Sequence, residues 1–228
     1  MRPWASEQSR GDLVVWATFE GFFWFPRTLL GIEPHLYAFH DRPELIHRIN
    51  ADLAAHTAGL IAKLAKVCVP TFVTFAEDMS YNHGPMLSKP QFDQFIAPYY
   101  RRIIPLLDEL DVLPIVDTDG DVSILAGWLQ EAGVKGVLPL ERQAGVDAAG
   151  LRAEYPRLRM IGHYDKMVMP RGETAMRAEF ERLLPTARKG GFIPSVDHQT
   201  PPGVSLEQYR CYVRLLEEFS TRAAKTRD

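Results

Sequence analysis

The stretch Val112 to Asp121, VLPIVDTDGD, decides how the rest of the chain is read. An apolar run stops abruptly at Asp117, and Asp119 and Asp121 follow with Gly120 between them. A short apolar run closed by turn chemistry predicts a strand buried on both faces. Carboxylates packed just past such a strand are costly unless something pairs with them. The same grammar recurs along the chain. Phe72 to Phe75 runs into Glu77 and Asp78, Gly136 to Leu140 into Glu141, and Arg159 to Gly162 into His163, Asp165 and Lys166. Phe192 to Pro194 leads to Asp197 and His198. These strand candidates deliver ionisable groups at their C-terminal ends.

Working outward, helical patterns fill the spaces between the strands. Leu13 to Phe19 reads as a first strand, followed by an aromatic turn or short helix over Phe22 to Leu30. The aromatic cluster Phe22 to Phe25 reads as core rather than as a platform for a planar ligand. Apolar residues at helical spacing predict a helix from Asp41, as N-cap, to about Val67. Ser88-Lys89-Pro90 opens another to about Leu110, bent or split at Pro98 and Pro105. Later strands near 112–116, 136–140, 159–162 and 192–195 alternate with helices near 122–132, 147–154, 172–188 and 205–223. Such alternation argues for βαβ units and a parallel sheet. Residues 1–12 are polar and read as a loose N-terminal segment of a single domain over 1–228.

This makes six β-α units where a closed barrel has eight. A doubly wound sheet is the rival, but the Gly-rich dinucleotide fingerprint follows none of the strands. A barrel aims every strand end into one mouth, and ionisable groups after nearly every strand favour it. The fold class is therefore α/β, a TIM (β/α)8-type barrel short of about two N-terminal β-α units.

Composition limits the function classes. With 228 residues, 46% apolar and 24% charged, the chain suits a soluble globular protein with a sizeable core. A formal charge of −3 gives no pull toward nucleic acid or an anionic membrane. No apolar window is long enough to span a bilayer. Cys68 and Cys211 are far apart and read as reduced thiols of a cytoplasmic protein. No Ser-His-Asp arrangement, P-loop, CxxC pair or HExxH is present, which removes the commonest hydrolase, NTPase and metalloprotease readings.

Asp117 and Asp119 share one face if the backbone stays extended. With Glu141 and His198 they predict an oxygen-rich metal site or a proton-transfer cluster. The competing reading makes Asp117 and Asp121 helix caps and Asp119 a turn former. Glu77, His83, His163, Asp165, Lys166 and Asp197 are the substrate-binding candidates. His40, His47 and His56 read as solvent or cap histidines.

The segment Glu77 to Tyr99 (EDMSYNHGPMLSKPQFDQFIAPYY) resembles the uroporphyrinogen decarboxylase superfamily, which includes the corrinoid-dependent methyltransferases. The resemblance continues through VDTDGD, through Leu138 to Glu141 with Ala144 to Asp147, and through Ile161 to Lys166. It ends in Gly190 to Pro194 with DHQTPPGVS, covering about residues 70 to 220. It implies a (β/α)8 barrel. The decarboxylases grip a tetrapyrrole through an N-terminal Arg-rich segment and an early Asp, and this chain has no counterpart to that segment. The methyltransferases hold zinc through a His-x-Cys pair, a later Glu and a C-terminal Cys. Here Asp117-x-Asp119 stands at the His-x-Cys position, Glu141 at the Glu, and Asp197-His198 in the region of the last Cys. With no thiolates, zinc or a harder divalent ion is expected. The resemblance implies methyl transfer, with catalytic and metal roles for Asp117, Asp119, Glu141 and His198, a small-molecule substrate and a corrinoid protein as partner. Its alternative is decarboxylation of a porphyrinogen, with Lys166, Arg27 and Arg142 as anion partners. The remaining expectation is a non-catalytic barrel fragment bound to a partner subunit. A homo-oligomer is expected.

Overall fold

The computed structural model describes residues 3–225. The fold is α/β. Its six-stranded sheet takes β1 (Trp16–Glu20), β2 (Phe72–Ala76), β5 (Leu113–Asp117), β6 (Gly136–Leu138), β7 (Arg159–Tyr164) and β8 (Phe192–Val196) in chain order. A two-stranded ribbon, β3 (Ser80–Tyr81) with β4 (Gly84–Pro85), interrupts the long loop after β2. The chain divides into two compact units. One is built from the residues up to Met79 with Pro85–Thr118 and Ile124–Gly136, the other from Ser80–Gly84, Asp119–Ser123 and the residues from Val137 onward.

In the first unit, β1 pairs parallel to β2 with Trp16 opposite Phe72, and β2 pairs parallel to β5 with Phe75 opposite Val116. The helices α4 (Pro43–Ala65) and α6 (Ala97–Asp108) pack together, and Phe22, Phe75, Phe92, Phe95 and Tyr100 are buried. The ring of Phe22 meets Tyr100 edge-on at 5.0 Å, a favoured aromatic geometry. The FFWF cluster is therefore core at Phe22 and Phe23.

Several local expectations are corrected in this unit. Pro3–Ser9 forms a helix, α1, where a loose segment was expected. The short helix α2 (Trp24–Leu30) is followed by α3 (Ile32–Asp41), a helix the sequence pattern does not show. The Gly31 turn and Pro34, at the third residue of α3, masked its periodicity. Asp41 consequently ends α3, and α4 starts from Arg42 without a side-chain cap, using Pro43 in its first turn. The helix from Ser88 splits into α5 (Lys89–Phe95) and α6. Ser88 and Gln91 form a capping box at its start. Pro98 falls in the first turn of α6, and Pro105 lies inside it. The helix α7 (Leu125–Glu131) completes this unit.

In the second unit β7 pairs parallel to β8, with Met160 opposite Phe192 and Tyr164 opposite Val196. The short helix α8 (Ala148–Glu154) is capped by Asp147, which accepts from the Ala149 N–H. The long helices α9 (Glu173–Arg188) and α10 (Leu206–Ala224) pack together. Tyr164 lies 4.5 Å from Phe180 and 4.9 Å from Tyr212, and Phe180 stacks on Phe219 at 5.2 Å. Ser205 and Gln208 box the start of α10, so its helical frame is set by the sequence before packing acts. Both cysteines are free.

No helix among the described residues is long and apolar enough to cross a membrane.

Candidate functional site

The second unit gathers Asp119, Glu141 and His198, each half-buried, with one ligand atom from each lying within 4.8 Å of the others. The imidazole Nε2 of His198 is 3.3 Å from Asp119 Oδ2. Glu141 joins through the Gly120 N–H, which donates to its Oε2 at 2.8 Å.

Each side chain is brought in by a turn at a strand end. Asp119 sits in a bend closed by Gly120, whose φ of +81° favours glycine. A Cβ there would come within 2.5 Å of the Tyr81 backbone, so only glycine fits. The Asp121 N–H donates to the Tyr81 carbonyl at 2.9 Å, and Ser80 Oγ donates to the Asp119 carbonyl at 2.6 Å. Glu141 follows Leu140, a fully buried leucine held at φ +59°. A bulky residue in that region is uncommon and is sustained only by its surroundings. Those surroundings are visible. His163 Nδ1 donates to the Leu140 carbonyl at 3.2 Å, while its Nε2 accepts from Arg182 at 3.2 Å. Burial, and then the Arg182 guanidinium, hold the His163 imidazole below its ordinary pKa, in keeping with a neutral ring. His198 follows Asp197, whose carboxylate accepts from the Arg142 N–H at 2.9 Å and from Lys166 Nζ at 3.2 Å.

The structure thus brings together three of the four residues proposed as catalytic and metal-binding. Asp117 stands outside the group of three. The spacing argument assumed a backbone extended through Asp119, but β5 ends at Asp117 and the chain turns at Gly120. The substrate-binding candidates are corrected at several positions. Glu77 is fully buried. Its carboxylate accepts from the backbone N–H groups of Phe22, Phe23 and Trp24 and from the Tyr100 hydroxyl. It anchors the entry to α2 and presents no surface to a ligand. His163 and Asp197 are likewise buried and hydrogen-bonded inside the protein. Asp165 accepts from the Met167 N–H at 2.8 Å as cap of the 3-10 helix Lys166–Arg171, and from Gln143 at 2.8 Å. Lys166 is paired with Asp197 and donates to Gln143 at 2.9 Å. His83 is exposed, with the Tyr81 ring edge-on to it at 5.6 Å.

Two half-buried carboxylates and an imidazole, aimed at one another from separate turns, are a donor set for a divalent cation. One ion with ligands at about 2.0–2.2 Å spans at most about 4.4 Å between opposite ligand atoms. The ligand atoms, within 4.8 Å of one another, stand at most a few tenths of an ångström beyond that span. With two oxygens and one nitrogen, the set suits zinc and harder ions alike.

A parallel array of β-α units with a carboxylate and imidazole cluster just past the strand ends defines a protein of the TIM-barrel class. The uroporphyrinogen decarboxylase (URO-D) model matches residues 28–219, and the chain belongs to that family. Among solved structures, a methyltransferase from Methanosarcina mazei is similar at a TM-score of 0.69 and 16% identity. The match covers 93% of this chain and 61% of that one, and at this identity it concerns the fold. A citrate synthase is similar at a TM-score of 0.43 and 11% identity, over 96% of this chain and 78% of that one. No curated protein is significantly similar in sequence.

Proposed function

We propose that the chain is an enzyme of methyl transfer that holds a divalent cation through Asp119, Glu141 and His198, with a corrinoid protein as the methyl donor's carrier. One observation carries the reading: the three ligand atoms lie within 4.8 Å of one another. A divalent cation held by these three side chains would supply Lewis acidity, lowering the pKa of a nucleophile bound to it. The protein's own contribution is to hold three donors at fixed positions. Asp119 and Glu141 supply the negative charge that favours a cation, and His198 supplies a ring nitrogen.

Decarboxylation of a porphyrinogen is the second reading: it needs cations for the substrate carboxylates, and of the three candidates Lys166, Arg27 and Arg142, the first two are engaged within the protein. Lys166 is engaged by Asp197. Arg27 is engaged by Asp78 at 2.9 Å and by the Asp78 carbonyl, and it lies over the Trp24 ring at 4.7 Å.

Metal analysis of purified protein, paired with a binding screen against corrinoids and porphyrinogens, tests the proposal. Methyl transfer predicts a bound divalent ion and a corrinoid partner. Porphyrinogen binding with no metal uptake would contradict it.

A further inference from the structure

We propose that Asp197 is a positioning residue that sets the separation of Glu141 and His198, an inference that rests on those two residues sharing a metal ion. The Asp197 carboxylate is fully buried. Its Oδ2 accepts from the N–H of Arg142, the residue after Glu141, at 2.9 Å. Its Oδ1 accepts from Lys166 Nζ at 3.2 Å and from the Lys166 N–H at 3.3 Å. Its own backbone continues directly into His198. One carboxylate therefore bridges the segment that carries the glutamate and the segment that carries the imidazole.

The grip on the glutamate loop has further points. Lys166 Nζ also donates to Gln143 Oε1, and Gln143 Nε2 donates to Asp165. On the other side of Glu141, His163 holds the Leu140 carbonyl. Residues 140, 142 and 143 are all tied to the ends of β7 and β8, while the side chain between them is turned toward Asp119 and His198. Stability alone does not call for a buried ion pair here, since well-packed apolar residues serve as well or better. Fixing two ligands to a common carboxylate does call for one. Groups behind metal ligands orient them, and losing such a group typically weakens metal affinity 10- to 100-fold.

The test is a Co(II) titration of the full-length chain, followed by the visible d–d absorption. In Asp197→Asn one amide oxygen still accepts, but the NH2 group faces donors at Arg142 or Lys166. Co(II) affinity should fall by about 10- to 100-fold, with a changed d–d spectrum, because the two ligands no longer keep their spacing. Lys166→Gln keeps a hydrogen-bonding group without the charge and should show the same spectral change with a smaller loss of affinity. It decides the matter if Asp197→Asn does not fold. Ile61→Val, a core deletion in the other unit, should lower the melting temperature and leave the Co(II) affinity and spectrum as in the wild type. A wild-type affinity and spectrum in folded Asp197→Asn, or in Lys166→Gln if the first variant is unfolded, would overturn the inference. So would an equal loss in Ile61→Val. A wild-type chain that takes up no Co(II) would overturn the metal reading and this inference together.

Discussion

Glu77 and Glu141 look alike in the sequence, each an acid placed just past an apolar strand, and the structure gives them opposite roles. Four donors converge on the buried Glu77 carboxylate: three backbone N–H groups and the Tyr100 hydroxyl. Glu141 is half-buried, accepts from the Gly120 N–H, and points toward another carboxylate and an imidazole. The difference lies in who answers the charge. A carboxylate answered by the protein's own donors is a structural tie, whereas one facing another acid has room for a cation. The clearest way to break this comparison is Glu77→Ala. It strands four buried donors and should destabilise the protein by about 4 kcal/mol in chemical denaturation. A loss below about 1 kcal/mol would make Glu77 no tie at all.

The pH dependence of stability sharpens the same contrast. His35 is fully buried between Phe23 and Phe39, and neither ring nitrogen has a hydrogen-bond partner among the described residues. Burial, aided by Arg27, lowers its pKa from 6.5 to about 4. Over that window the unfolded chain binds a proton that the folded chain refuses, so His35 makes stability rise with pH. Glu77 acts in the opposite sense. Burial pushes its carboxyl from 4.5 up to about 7 against the pull of its hydrogen bonds. Between those values the folded chain keeps a proton that the unfolded chain has released, so stability falls as pH rises. The two slopes offset each other from about pH 4.5 to 6.5. His35→Phe should remove one of them, so that stability relative to the wild type falls by about 3 kcal/mol as pH rises from about 4 to 6.5. A profile parallel to that of the wild type would show that His35 takes up a proton as readily in the folded chain as in the unfolded one.

Smaller effects belong to the candidate site. Gly120→Ala forces a non-glycine residue to φ +81° against the Tyr81 backbone. It should cost about 2 kcal/mol and weaken metal binding through the displaced Gly120 N–H. Asp119→Ala and His198→Ala should shift stability by no more than about 0.5 kcal/mol, as expected of partly exposed groups outside the core, while abolishing metal uptake. Paired thermal melts and metal titrations separate these outcomes. A large stability loss in Asp119→Ala would assign it to turn formation.

Much of the fold was legible because its signals are local. Apolar runs bounded by Gly, Pro and acids located the sheet strands to within a few residues, and Ser88-Lys89-Pro90 marked the start of α5. The helix α3 was not legible, because a glycine turn and Pro34 broke its pattern and made Asp41 look like a start. The clustering of Asp119, Glu141 and His198 was legible, because their strand-end positions follow from periodicity. Asp117 was misplaced because β5 ends there and the chain turns at Gly120, and Glu77 and Asp197 for a different reason. Sequence locates an acid at a strand end, but the donors that answer it come from distant residues such as Phe22, Tyr100, Arg142 and Lys166. The positive φ at Leu140 also has no sequence signature, since leucine rarely adopts it.

The most direct test is anomalous diffraction from crystals of the wild-type protein grown with zinc. A single peak should appear about 2.0–2.2 Å from an oxygen of Asp119, an oxygen of Glu141 and a ring nitrogen of His198. Zinc bound elsewhere, with these three side chains in their present positions and no peak between them, would contradict the account.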